Sequence, residues 1–201
     1  SLGIVNWRNG STWIFFFYIA GHGVAAALMI SAVKIIVNLY FVEINKPSEA
    51  LYFLNDMLIR DMIPGVTISA VYMVINEKEN NLEIAQAAQE YSYYISENSV
   101  EKIPGKGIIL GVIESEEIEE NEKISYKDIV YKLNSGDKIF VYTDGLVENE
   151  NLNRDNLQEI ILKGASTNIN GLNEIIEKEI SDKVGNNKRD DLTYMIIEKS
   201  C

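Results

Sequence analysis

Three short stretches hold residue types able to do chemistry. Gly21-His22-Gly23 falls between an aromatic run and a long apolar segment. Glycines there permit a tight backbone path, and the free N–H groups opening a following helix favour an anion. His22 is the only histidine, so a histidine-based triad must use it and a multi-histidine metal site is excluded. The same three residues also read as a plain turn. In Val141-Tyr142-Thr143-Asp144-Gly145 a carboxylate sits where an apolar strand ends and a glycine releases the chain. That arrangement suits a ligand and also ordinary turns. In Asp190-Asp191-Leu192-Thr193 two acids follow the basic pair Lys188-Arg189 and open the last apolar run, as ligands or as a solvated strand start.

The elements that must position these residues follow from hydrophobic patterning. Residues 13–19, WIFFFYI, are aromatic and β-branched and read as a buried strand stopped by glycines. Residues 24–42 are almost wholly apolar and about as long as a membrane span requires. Ser31, Lys34 and Asn38, however, recur at spacings of three and four, which places a charge mid-segment on one narrow stripe. The segment therefore reads as a helix buried on most sides, with Lys34 reaching water. A second helix starts at Pro47, a residue suited to the first turn, and puts Ala50, Leu51, Phe53, Leu54, Met57 and Leu58 on one face.

Hairpins are predicted from 66–75 with 82–88 and from 91–96 with 100–103. Strands follow near 125–133 and 138–142, divided by a turn at 134–137. Helices at 156–162 and 172–184 and a closing strand at 192–198 complete the chain. Regular βαβ alternation is missing, and Gly105, Gly107 and Gly111 lack the spacing of a dinucleotide fingerprint. The pattern predicts an α+β layered fold with antiparallel sheets.

Composition narrows the function. With 201 residues, 47% hydrophobic and 24% charged, the chain reads as one folded domain over 1–201. A net charge of −12 opposes nucleic acid and anionic lipid, because affinity for either comes mainly from lysine and arginine. No membrane contact by this domain is expected. The acidic run at 115–122, SEEIEENE, reads as a solvated loop. Cys201 is the only cysteine, so no internal disulfide forms and a reducing, cytoplasmic setting suits the chain. The N-terminus shows no secretory signal pattern.

In their order, these motifs resemble the PPM-type metal-dependent serine/threonine phosphatases of the bacterial SpoIIE/RsbU branch. The matching stretches are Tyr18 to Gly23 before a long helix, Leu54-Asn55 in the Pro-led helix, Thr67 in a hairpin strand and Leu110-Gly111-Val112. Gly136-Asp137 with Tyr142 to Glu148, and then Asp190 to Thr193, complete the match. The resemblance implies an αββα sandwich, two central antiparallel sheets flanked by helix pairs, with two Mn²⁺ or Mg²⁺ ions at one edge. Oxygen ligands suit such hard cations. By that resemblance Asp144 and Asp190 are both catalytic residues and metal ligands, Ile19 is also at the metal site, and Tyr18, Gly21, His22, Gly23 and Asp191 belong to the site loops.

The same resemblance implies a water activated by the metals attacking phosphoserine or phosphothreonine of a signalling protein, such as an anti-sigma-factor antagonist. It further implies a domain at the C-terminal part of a longer signalling protein, cytoplasmic or on the cytoplasmic side of a membrane-anchored sensor. A partner or a second copy would act through the helices after Gly23.

The sequence departs from the family where the chemistry is most demanding. Tyr18 stands where the bridging aspartate belongs, and a phenol of reference pKa about 10 does not replace a carboxylate there. Ile4 stands where an upstream acid falls if Gly3 marks the family's second glycine, and Ala87-Ala88-Gln89 replaces Ala-Gly-His. Two dications about 4 Å apart repel by roughly 17 kcal/mol at an effective dielectric near 20, a repulsion the bridging carboxylate offsets. One ion or none is therefore expected in place of two. Two functions follow: a phosphatase with a weakened site, or an inactive pseudophosphatase serving as a binding or regulatory module.

Overall fold

The computed structural model describes residues 2–8, 10–19, 23–61, 67–88, 92–105, 107–147, 152–183 and 192–200. In chain order these form β1 (Leu2–Arg8), β2 (Ser11–Ile19), α1 (Val24–Tyr40), α2 (Pro47–Asp61), β3 (Ile68–Asn76) and β4 (Asn81–Ala87). Then come β5 (Tyr93–Ser96), β6 (Ser99–Lys102), α3 (Ser115–Glu119), β7 (Ile129–Lys132) and β8 (Lys138–Tyr142). The last elements are α4 (Arg154–Gly164), α5 (Ile169–Lys183) and β9 (Tyr194–Glu198). They fall into two compact units: Ser1–Gln89 with Pro104–Lys132, and Glu90–Ile103 with Leu133–Cys201.

The first unit is built on an antiparallel sheet of order β1-β2-β3-β4-β7. Period-2 alternation sends Phe15, Phe17 and Ile19 of β2 into a core with Met29, Val33, Ile36 and Val37 of α1 and Ala50, Leu51, Leu54 and Leu58 of α2. Ile14 and Phe16, on the opposite face of β2, are buried as well, which explains why β2 reads as a continuous apolar run. The β3–β4 turn is set by Asn76, whose side-chain oxygen accepts the amides of Lys78 and Glu79 at 3.1 Å each.

α2 begins at Pro47 as predicted, and Asp128 satisfies its open end by accepting the Ser48 amide at 2.7 Å and hydroxyl at 2.6 Å. Two expectations fail in this unit. α1 buries only Met29, Val33, Ile36 and Val37, while Val24, Leu28, Ile35 and Leu39 are 59–77% exposed, so it is not covered on most sides. Lys34 is exposed as expected. The acidic run at 115–122 is not simply a loop: its first five residues form α3, because Ser115 and Ile118 are buried. Ser115 donates to Asp56 and also accepts from the fully buried Asn55 at 3.1 Å. Asn55 further donates to the Ile113 carbonyl at 2.9 Å and accepts the Gly111 amide at 2.9 Å, so α2 grips the whole 111–115 segment.

The second unit carries the antiparallel sheet β6-β5-β8-β9. Tyr93, Phe140 and Tyr142 pack with Leu157, Ile160 and Ile161 of α4 and Leu172 and Ile176 of α5. α4 opens with a capping box in which Asn153 accepts the Asn156 amide and Asn156 accepts the Asn153 amide. The strands on either side of the 134–137 turn form no hairpin: β7 pairs with β4, and β8 with β5 and β9. Among the described residues no helix is long and apolar enough to cross a membrane.

Candidate active site

β8 is buried at all five positions and ends where Thr143 turns the chain into a single helical turn, Asp144–Leu146. Inside that turn the Leu146 amide donates to the Thr143 carbonyl at 3.0 Å and the Val147 amide to the Asp144 carbonyl at 2.8 Å. The half-buried Asp144 side chain accepts the Gly145 amide on Oδ1 at 3.0 Å, and Oδ2 accepts no hydrogen bond from the described residues. One carboxylate oxygen thus remains open on a rigid strand end, which is what an oxygen-liganded cation needs.

The register of β8 and β9 carries Thr193, the last residue of the closing motif, to the same strand end. Tyr142 pairs with Tyr194, and beyond that pair Thr143 meets Thr193. The Thr143 amide donates to the Thr193 carbonyl at 2.9 Å, and the Thr193 amide donates to the Thr143 hydroxyl at 3.2 Å. Thr193, three residues after Asp190 in the sequence, is thereby paired with the residue that precedes Asp144. Both threonines were visible within their motifs, yet nothing in the sequence alone marks them as the clasp between the motifs.

Asp190, Asp191, Gly21 and His22 lie outside the described residues. Gly23 opens α1 with φ 81° and ψ −158°, a conformation glycine adopts at no steric cost. Tyr18 and Ile19 end β2 in the other unit, opposite Ser69 and Ile68. The Ile19 side chain belongs to the core, so only its main-chain carbonyl could serve a metal. Tyr18 supplies a phenol and no carboxylate. Among the described residues no group of three His, Cys, Asp or Glu side chains gathers as a metal cluster. Among the described residues Asp144 offers an oxygen donor of the kind a hard cation takes, and Tyr18 does not supply the carboxylate bridge that a tight pair requires.

The family model of Stage II sporulation protein E (SpoIIE) matches residues 8–200 of this chain. The chain belongs to the SpoIIE family. One model of this family thus spans both units. Within the curated proteins the SpoIIE-family chain is similar to phosphoserine phosphatase RsbU of Bacillus subtilis (strain 168), 27% identical over 149 residues. That match covers 71% of this chain and 42% of the relative, so the chain spans less than half of that protein. The SiaA PP2C domain of Pseudomonas aeruginosa shares its fold with a TM-score of 0.81 at 17% identity, over 98% of this chain and 79% of that one. RsbX, solved in complex with magnesium, matches with a TM-score of 0.70 at 15% identity over 97% and 84%. The α+β class with antiparallel sheets, expected from the sequence, is the fold of these SpoIIE and PP2C relatives.

Proposed function

We propose that this SpoIIE-family domain is a phosphoprotein phosphatase of the RsbU type, acting on phosphoserine or phosphothreonine of a bacterial signalling protein such as an anti-sigma-factor antagonist. The observation that supports this reading is the Thr143–Thr193 clasp, which pairs the residue before Asp144 with a residue three positions after Asp190 in the sequence. Asp144 and Asp190 would hold a Mn²⁺ or Mg²⁺ ion. Such an ion, when bound, lowers the pKa of water and polarises a phosphoryl oxygen. The protein's own contribution is a carboxylate fixed by the Gly145 amide at the end of a fully buried strand, so little reorganisation is needed on binding.

The domain would act in the cytoplasm, alone or attached to a membrane-anchored sensor. The exposed apolar row Val24, Leu28, Ile35 and Leu39 on α1 supports a partner or a homodimer contact through this helix.

Hydrolysis of p-nitrophenyl phosphate and of a phosphoserine peptide with Mn²⁺ tests the reading, with Asp144→Asn and Tyr18→Asp measured beside the wild type. Turnover by the wild type that is lost in Asp144→Asn is the expected result. Tyr18 favours a second reading, the inactive regulatory module, and turnover confined to Tyr18→Asp would establish it in place of the first.

A further inference from the structure

The second unit contains a cavity of about 460 Å³ that none of the chemistry above uses. Its walls come from the β5–β6 turn with Glu97 and Asn98, the 134–137 turn, the start of β8 at Lys138, the 165–168 connection between α4 and α5, and Glu198 at the end of β9. A volume of this size suits a small metabolite. β8 enters at Lys138 beside this cavity and leaves toward Asp144, with about 13 Å of strand between Lys138 and Tyr142. The cavity therefore lies at the end of the sheet away from Asp144.

Its charges are of both signs. Lys138 is only 2% exposed. Its ammonium donates to the Gly136 carbonyl at 2.9 Å and to the Ala165 carbonyl at 3.1 Å, and it forms no ion pair with a described residue. Ala165 caps the C-terminus of α4, whose dipole offsets part of the buried charge but not a full unit. One N–H of the three remains. Asp137, 5% exposed, accepts the Asn134 amide at 2.7 Å, the Asn134 side chain at 3.2 Å and the Tyr94 hydroxyl, all on Oδ2. Glu198 accepts the Ile169 amide on Oε2 at 2.6 Å. The other oxygen of each of these two acids has no partner among the described residues.

We propose that this cavity binds a small zwitterion of the amino-acid class, its carboxylate at Lys138 and its ammonium at Asp137 and Glu198. A simple anion would face the carboxylates of Glu97, Asp137 and Glu198, and a metal ion would face the Lys138 ammonium without a three-ligand cluster to hold it. A molecule carrying both charges satisfies both signs at once. The site is independent of the phosphatase reading, since none of its residues is assigned a catalytic or metal-binding role there, although Gly136-Asp137 is among the stretches that carry the family resemblance.

Thermal-shift and calorimetric titrations of the whole chain with the standard amino acids, and separately with acetate, methylamine and MnCl₂, test the proposal. At least one amino acid is expected to bind saturably and raise the melting temperature, while acetate and methylamine do neither. Glu198→Gln keeps the acceptor for the Ile169 amide but removes the charge, and should weaken that binding about tenfold or more. Asp144→Asn should leave it unchanged. Amide shifts at 166–168 in NMR spectra should move with the same ligand. Lys138→Met removes a buried contact and can unfold the unit, so the decision rests on Glu198→Gln. Silence from every amino acid, equal binding of acetate or methylamine, or affinity untouched by Glu198→Gln would each overturn the assignment.

Discussion

Thr143 and Thr193 hold each other through their main chains and one hydroxyl, with the Thr143 amide on the Thr193 carbonyl at 2.9 Å and the Thr193 amide on the Thr143 Oγ1 at 3.2 Å. That hydroxyl also lies 3.3 Å from the Thr193 carbonyl as a donor. Thr143 is almost fully buried, so replacing it with valine removes the hydroxyl that accepts the Thr193 amide without changing shape. Thr143→Val should lower stability by about 1–3 kcal/mol, measured by urea denaturation, and should weaken Mn²⁺ binding while Asp144 remains in place.

Metal affinity is expected to rest on Asp144. Calorimetric titration with Mn²⁺ should show binding reduced about tenfold or more in Asp144→Asn, since even outer-shell substitutions at metal sites cost that much. Equal heats from the two proteins would remove Asp144 from the site.

Ala88 adopts φ 46° beside the isolated bridge to Ala70, a left-handed backbone that a Cβ makes costly. Glycine relieves that strain and gives back part of the gain through its freer unfolded chain. Ala88→Gly should therefore stabilise the protein by about 0.5–1 kcal/mol, visible as a raised urea midpoint.

Gly107 is the opposite case. Its φ is 61°, and a Cβ there would lie 2.4 Å from the Gln86 carbonyl oxygen and 2.8 Å from the Tyr126 ring. Backbone cannot yield as a flexible side chain does, so Gly107→Ala should cost about 2 kcal/mol or more. An unchanged melting temperature would contradict this packing.

Burial raises the phenols of Tyr72 and Tyr126 well above their ordinary range, with Tyr52 and Asp56 adding to the effect at Tyr126. A folded-state pKa above the unfolded value means that the neutral ring contributes its full stability below about pH 10, and that this contribution is lost as pH rises further. Spectrophotometric titration should find these two tyrosines silent while exposed ones ionise, with unfolding free energy falling above that pH. Ionisation of all tyrosines together in the native state would contradict their burial.

Much of this was legible because the local signals were strong. The aromatic run at 13–19, the proline opening α2 and the Asn-Ser-Gly-Asp turn each name their own structure, and tertiary contacts agree with them. α1 misled because its apolar residues are spread around the helix, and periodicity counts such residues without knowing which side the sheet will cover. The 115–122 run misled in the other direction: one serine and one isoleucine among its acids, held by Asn55 from across the chain, suffice to wind a turn of helix. β7 and β8 look like a hairpin because the turn between them is a good one, and only long-range pairing sends them to separate sheets. Asp144 was visible because its type and its place at a strand end are local facts. The clasp beside it depends on register between strands fifty residues apart, which no short window contains.

That parting of β7 from β8 governs the order in which the chain can be completed. A nascent polypeptide can join β1 to β4 early, yet the edge strand of that sheet emerges only after the 90–103 hairpin, which belongs to the other unit. The second sheet waits longer still, since β9 follows α4 and α5 in the chain and, among the described residues, alone flanks β8 on the side away from β5. A polypeptide that stops short of Thr193 would therefore leave Thr143 without its mate and Asp144 beside an unfinished edge of this sheet.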